Sequence, residues 1–134
     1  MSRLFVDTSA LVALAFEEPG HGWLAERLGS AQDLFAAPLL EAEFRAALLR
    51  EEVEQERGLE LLGAFRWVLP DRPLSGELDR AFAAGCARGA DAWHLATALF
   101  LAEAPGELPF ITLDQRQREV ARSVGFPTPH PGGA

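Results

Sequence analysis

Two short apolar runs in this chain each end in an aspartate, and a helix is predicted to begin directly after each of them. Leu4-Phe5-Val6 precedes Asp7, and the run from Phe110 to Leu113 precedes Asp114. Short apolar runs that alternate with helical segments are typical of buried parallel strands, because helices then cover both faces of the sheet. The pattern therefore predicts an α/β fold with a mostly parallel central sheet. It also places both aspartates at strand ends, where open α/β sheets bind their ligands.

Turn-forming residues divide the rest of the chain into elements of the same kind. Glycine and proline mark most of the boundaries, and Gly58 is predicted to end or interrupt a helix. Strands are predicted at 3–7, 33–37 and 110–113, with extended segments at 67–70 and 126–128, and helices at 8–16, 23–28, 38–56, 59–65, 74–88, 91–104 and 115–124. Residues 1–128 are expected to form one domain, followed by a flexible tail at 129–134.

The composition restricts the classes of function. With 134 residues, 49% of them hydrophobic, the chain is able to bury a real core. The net charge of −8 argues against a large, sequence-independent phosphate-binding face. All the basic residues other than histidine are arginines, so mechanisms that need a lysine are excluded. The chain has no apolar stretch of membrane-spanning length, no signal-peptide layout at its start and one cysteine, and we therefore expect a cytoplasmic protein.

Asp91 and Glu43 join the two strand-end aspartates as candidate metal ligands. Asp91 opens an apolar helical segment. Each of the three aspartates has a simpler explanation, because aspartate commonly caps a helix. Glu43 has no such explanation, because Leu39, Leu40, Ala46 and Ala47 surround it on a helix and predict that it is buried. A buried carboxylate needs a partner, and Arg50 is the structural alternative to a metal.

The four acids together predict a cation-binding site. Two carboxylates about 4 Å apart repel each other by roughly 4 kcal/mol at an effective dielectric constant of about 20. A cluster of four therefore requires bound cations or shifted pKa values. Ligand sets made only of oxygen suit Mg²⁺ or Mn²⁺.

Four sequence blocks in this order carry a resemblance to a known family. The chain is similar to PIN-domain ribonucleases, and most closely to the VapC-type toxins of bacterial and archaeal toxin–antitoxin pairs. The similar blocks are Phe5-Val6-Asp7-Thr8-Ser9-Ala10-Leu11, Glu43-Phe44-Arg45-Ala46-Ala47-Leu48, Ala90-Asp91-Ala92-Trp93-His94-Leu95-Ala96-Thr97-Ala98 and Ile111-Thr112-Leu113-Asp114. They span nearly the whole chain, and the Asp-Ala-x-His-Leu-Ala block is the most distinctive.

The resemblance implies both a structure and an activity. It implies a three-layer α/β/α sandwich, and Asp7, Glu43, Asp91 and Asp114 as its metal-binding and catalytic acids. It also implies Mg²⁺- or Mn²⁺-dependent cleavage of RNA, an antitoxin partner and a homodimer. Some relatives carry a further acidic or amide residue shortly after the last aspartate. Gln115 to Arg118 stand there in this chain, which leaves a second metal ion in doubt.

Several neighbours of the acids are candidates for supporting roles. The hydroxyls of Thr8 and Thr112 are expected to contact a ligand carboxylate or the scissile phosphate, with capping or strand packing as the alternative. Arg116 is expected to hold a flanking phosphate, with a solvated helix face as the alternative. His94 is expected to be structural, because metal-dependent hydrolysis does not need an imidazole.

Other functions compete with the nuclease prediction. A catalytically weak PIN-like scaffold, or an RNA-processing module that acts through protein partners, is the main alternative. A receiver domain needs a lysine, and a haloacid-dehalogenase-type phosphatase needs an aspartate where Ser9 stands. A DNA nuclease is less favoured because the chain lacks added basic elements for gripping a duplex. Trp23, Leu24, Leu28 and the helix after Pro38 either receive the antitoxin or simply pack the core.

Overall fold

A computed structural model of the chain describes residues 2–133. Its strands are β1 (Arg3–Val6), β2 (Asp33–Ala36), β3 (Phe65–Trp67) and β4 (Phe110–Ile111). Its α-helices are α1 (Thr8–Ala15), α2 (His21–Gly29), α3 (Leu39–Arg50), α4 (Gln55–Leu62), α5 (Ser75–Ala83), α6 (Gly89–Leu101) and α7 (Gln115–Ser123). The alternation of strands and helices that the sequence predicts is therefore confirmed.

The four strands form one parallel sheet in the order β3-β2-β1-β4. Successive side chains of a strand point to opposite faces, and both faces of β1 are buried. Leu4 and Val6 pack into one apolar core with residues of α1, α2 and α3. Phe5 packs on the other face with Phe110 and residues of α6 and α7. Helical layers on both faces make the α/β/α sandwich, so the predicted fold class is confirmed.

The helix predicted at 38–56 and the one after it have different boundaries in the structure. The first helix ends at Arg50, because Glu52 takes a left-handed backbone conformation (φ 57°) before α4 starts. Gly58 does not interrupt a helix but lies inside α4, where its missing side chain lets α4 approach Phe44 and Leu48 of α3. Residues 126–128 do not form a strand, although the Pro127 carbonyl accepts a 2.8 Å hydrogen bond from the Phe110 amide.

Replacing Gly58 by alanine is expected to lower the free energy of unfolding. A Cβ atom there would overlap Leu48 Cδ1 and lie 3.0 Å from Phe44 Cε2, and both neighbours are fully buried. Overpacking of a core costs about 1–3 kcal/mol, more than the roughly 0.5–1 kcal/mol that alanine contributes to a helix interior. Urea denaturation measures the change.

The matched control is Gly22→Ala in α2, where nothing lies within 4 Å of an added Cβ atom. That variant is expected to be at least as stable as the wild type. Equal stabilisation by both substitutions would contradict the close approach of α4 to α3.

Candidate active site

Asp7 lies directly after β1 and is the buried acid of the set. Its Oδ1 atom accepts a 2.7 Å hydrogen bond from the Ser9 hydroxyl and a 3.4 Å bond from the Ala10 amide, so it caps α1. The side chain is only 4% exposed. Burial raises the pKa of Asp7, and the hydroxyls of Thr112 and Ser9 offset only part of that rise. A negative charge at this position is therefore costly unless a cation is close.

Ser9 and Thr112 connect the ends of β1 and β4. The Ser9 hydroxyl oxygen lies 3.0 Å from Thr112 Oγ1 and accepts a 3.0 Å hydrogen bond from the Leu113 amide. Thr112 Oγ1 in turn accepts a 3.1 Å hydrogen bond from the Asp114 amide. Thr112 is fully buried, and its hydroxyl acts both on the strand ends and on the pKa of Asp7, so its contact with a ligand carboxylate stays a prediction.

Glu43 is paired with two side chains from other elements. Its Oε1 atom accepts a 2.7 Å hydrogen bond from the Thr8 hydroxyl at the start of α1, and His94 Nε2 of α6 lies 2.6 Å away. The hydrogen bond from His94 is the main cause that lowers the pKa of Glu43. The expectation that Glu43 is buried is wrong, because its side chain is 34% exposed at the start of a groove. Its partner is His94, whereas Arg50 lines the same groove without an ion pair to it.

Asp91 and Asp114 share one arginine. Arg88 Nε lies 3.1 Å from Asp91 Oδ2, and Arg88 Nη2 lies 3.7 Å from Asp114 Oδ2. Asp114 caps α7 by accepting a 3.1 Å hydrogen bond from the Gln117 amide. Asp91 does not cap α6, because Arg88 occupies the cap position and Asp91 lies in the first helical turn. A single guanidinium therefore lies between two carboxylates that different elements supply.

Arg88 and His94 link the four acids electrostatically. The charge of Arg88 also acts on Glu43 and contributes to its lowered pKa. The nearby His94 side chain also lowers the pKa of Asp7, although burial, which raises it, dominates there. Since such effects fade over short distances in a solvated protein, the acids belong to one region of the molecule.

The residues present fit a divalent metal in their chemistry. The donors are carboxylate oxygens, which Mg²⁺ and Mn²⁺ prefer. The guanidinium between Asp91 and Asp114 occupies a position where the surrounding charge favours a cation. Within residues 2–133, however, no three His, Cys, Asp or Glu side chains are close enough to form a complete ligand set. A metal would therefore bind through few protein ligands and retain water, as Mg²⁺ often does.

Arg116 lies beside the Asp91 half of the site. A small depression there is lined by Arg116, Arg88 and Asp91. The Gln117 side-chain amide donates a 2.9 Å hydrogen bond to the Asp91 carbonyl and so ties α7 to the start of α6. Arg116 therefore lies beside Asp91, and its contact with a substrate phosphate stays a prediction.

Sequence reasoning missed the roles of Ser9 and Arg88 and assigned His94 only a structural role. For Arg88 a signal exists, because an arginine three residues before Asp91 on a helix is at ion-pair spacing. For Ser9 the signal is its place two residues after Asp7. Nothing local to His94 indicates that it contacts Glu43, which lies 51 residues away along the chain.

The described residues thus form an α/β domain with an all-parallel sheet between two helical layers, and two of its acids, Asp7 and Asp114, follow neighbouring strands. Residues 4–123 match the PIN domain, and the chain belongs to the PIN-domain family. PIN domains are generally nucleases and typically use divalent metal ions. A comparison with curated proteins found no significant match. Within the part of the chain that the structure describes, no helix is both long and apolar enough to cross a membrane.

Proposed function

We propose that this protein is a Mg²⁺- or Mn²⁺-dependent endoribonuclease and the toxin of a type II toxin–antitoxin pair, acting in the cytoplasm. The observation that carries the proposal is the linked set of Asp7, Glu43, Asp91 and Asp114. One of these acids has its pKa raised by burial, and two are bridged by a single exposed guanidinium. An acidic arrangement of this kind is costly without a cation. PIN domains typically use divalent metal ions, which would provide that cation.

Each acid has a specific part in the proposed hydrolysis. Asp7 and Asp91 would be the main metal ligands, while Glu43 and Asp114 would bind a second metal or orient water. A bound divalent ion supplies an activated water and positive charge for the phosphate. Asp7 is fixed by its hydrogen bonds from Ser9 and Ala10, so its carboxylate is held in place before substrate arrives.

Arginines would hold the substrate phosphates. Arg88 and Arg116 line the same depression beside Asp91, and the Arg88 side chain is 74% exposed. Arginine binds phosphate through two parallel hydrogen bonds. With a net charge of −8, the chain has no broad basic surface for a duplex, which favours RNA gripped near the cut over long DNA.

An antitoxin segment is the proposed regulatory partner, and a homodimer the proposed assembly. An apolar groove of about 480 Å³ runs between α1, α2 and α4, lined in part by Leu14, Leu28 and Leu61. Leu24 is fully buried, and Trp23 packs against the same core, so these two serve the core as the alternative interpretation expects. Only Leu28 among the three predicted contact residues lines the groove.

RNA cleavage with and without Mg²⁺ tests the proposal. The wild type is expected to cut single-stranded RNA in Mg²⁺ or Mn²⁺ and to stop in EDTA. Asp91→Asn is expected to reduce the rate at least about a hundredfold, because a metal ligand contributes several kcal/mol to transition-state stabilisation. Asp79→Asn is the matched control, because Asp79 is exposed on α5 and its substitution changes the net charge by the same amount.

The result also separates the nuclease from the scaffold alternative. A catalytically weak scaffold would bind Mn²⁺ weakly or not at all. Any residual RNA cleavage in its preparation would not depend on Asp91. Equal cleavage by the Asp91 and Asp79 variants would contradict the proposed function.

A further inference from the structure

His94 is a buried polar side chain whose hydrogen bonding is confined to one of its ring nitrogens. The residue is 3% exposed and lies on the face of α6 that meets α1 and α3. Its Nε2 atom lies 2.6 Å from Glu43 Oε1 and 3.2 Å from Thr8 Oγ1. Its Nδ1 atom is buried and has no hydrogen-bond partner within residues 2–133. Whatever His94 contributes through polar contacts, it contributes through Nε2.

The hydrogen bonds around Glu43 Oε1 establish that His94 Nε2 carries a hydrogen and donates it to Glu43. Thr8 has a single hydroxyl hydrogen, and it is donated to Glu43 Oε1 at 2.7 Å. A carboxylate only accepts, so the 2.6 Å contact requires a hydrogen on His94 Nε2. This holds whether the imidazole is neutral or charged. Thr8 and His94 therefore both donate to the same oxygen of Glu43.

Two donors on one oxygen fix the carboxylate and leave its other oxygen available. Both hydrogen bonds end on Oε1, and within the described residues Oε2 receives none. Glutamate has three rotatable side-chain bonds, so holding it in one orientation costs conformational entropy that the two donors offset. Hydrogen bonds of this kind orient metal ligands in many sites.

We propose that His94 is a positioning residue: its Nε2–H group, together with the Thr8 hydroxyl, holds Glu43 with Oε2 presented to a divalent cation. The inference rests on the proposed function and makes it more specific, because it assigns the buried imidazole to one carboxylate oxygen. His94 does not touch the substrate. It acts through Glu43.

The unpartnered Nδ1 atom provides a sharp test. If only the Nε2 donor matters, glutamine should replace histidine, because its side-chain amide presents an N–H group at a similar distance from the backbone. Methionine has a similar volume and no donor. We therefore compare His94→Gln with His94→Met in Mn²⁺ titrations followed by calorimetry and by thermal unfolding, and then in RNA cleavage.

The methionine variant is expected to weaken Mn²⁺ binding by roughly 10- to 100-fold, the usual effect of removing a residue that orients a ligand. The glutamine variant should restore most of that affinity. In a Glu43→Ala background, His94→Met should cause no further loss. The matched control is Thr97→Val, which removes another buried hydrogen bond of α6 (2.7 Å to the Trp93 carbonyl) that involves none of the four acids. It should lower the melting temperature without changing Mn²⁺ affinity.

One further variant and one further measurement keep the outcome decisive. Where the methionine variant does not fold, His94→Asn replaces it, because its shorter amide cannot reach Glu43. In nitrogen-detected NMR, the Nε2–H signal of His94 should shift on Glu43→Ala substitution.

Failure of glutamine to restore affinity in a folded protein would overturn the proposal, as would equal effects of His94→Met and Thr97→Val. A wild type that binds no Mn²⁺ would overturn the proposed function as well, so the two failures are distinguishable.

Discussion

Asp7→Asn is expected to raise the stability of the metal-free protein while it abolishes metal-dependent RNA cleavage. The carboxylate is almost fully buried, and its pKa is raised chiefly by that burial. Asparagine keeps an oxygen for the Ser9 hydroxyl and the Ala10 amide, so the cap of α1 survives without a buried charge. Loss of a metal ligand should cost at least about a hundredfold in cleavage rate. Opposite changes in stability and activity are characteristic of a functional acid, as distinct from a structural one.

The stability difference should depend on pH in a defined direction. Because the folded-state pKa of Asp7 lies above its ordinary value of 3.8, its contribution to stability is fully present below about pH 3.8. That contribution is lost as the pH rises through the folded-state pKa. The asparagine variant does not titrate there. Its advantage over the wild type should therefore be absent near pH 3.8 and grow toward neutral pH.

Thermal unfolding in EDTA between pH 4 and pH 8 measures this difference. Asp79→Asn, on the exposed face of α5, serves as the control and should change neither the unfolding curves nor cleavage. An asparagine variant of Asp7 that retains cleavage would contradict the metal assignment. One that is less stable at neutral pH would contradict the burial argument.

Mn²⁺ is expected to raise the melting temperature of the wild type strongly. A ligand that binds only the folded state contributes about 2.7 kcal/mol at a concentration 100 times its Kd. For a domain of this size the shift is on the order of 10 °C. Ca²⁺ at the same concentration tests whether the smaller ion is preferred. The shift should be absent in Asp7→Asn and Asp91→Asn. No shift at millimolar Mn²⁺ in the wild type would contradict a metal site.

Arg88 allows the origin of that shift to be located. Its guanidinium lies between Asp91 and Asp114, so a metal bound there must displace it. Arg88→Gln should therefore lower the Mn²⁺ concentration at which the shift appears. Arg66→Gln is a close control, because Arg66 is similarly exposed and forms a 2.8 Å ion pair with Asp33 on a different part of the sheet. Identical Mn²⁺ titrations for the two variants would show that the metal does not bind between Asp91 and Asp114.

The parts of the site that sequence reasoning predicted well are those that depend on local order. Asp7 and Asp114 follow β1 and β4, and these two strands are neighbours in the sheet. Both aspartates also cap the helices that follow them, so the capping explanation was correct without competing with a role at the site. Thr8 is at the start of α1 as predicted, and its hydroxyl contacts a candidate ligand carboxylate, Glu43.

The parts that sequence reasoning predicted poorly depend on packing between distant elements. Glu43 was expected to be buried because its helical neighbours are apolar, yet α3 faces a groove there and leaves it one-third exposed. Asp7 is instead the acid from which water is excluded. Gly58 was expected to end or interrupt a helix, but it lies inside α4 and lets α4 approach α3. Apolar neighbours show which face of a helix turns inward, but not whether another element covers it.

The sequence alone indicated the α/β/α class and the four candidate acids, because periodicity, an acid after a strand (Asp7 and Asp114) and an acid among apolar helical residues (Glu43 and Asp91) are local properties. Only the tertiary structure decided which charges meet. It placed His94 against Glu43 across 51 residues and Arg88 between Asp91 and Asp114. The physical reason is that hydrogen bonds and ion pairs act over a few ångströms, and the packing of helices on the sheet sets those distances. The order of residues along the chain does not.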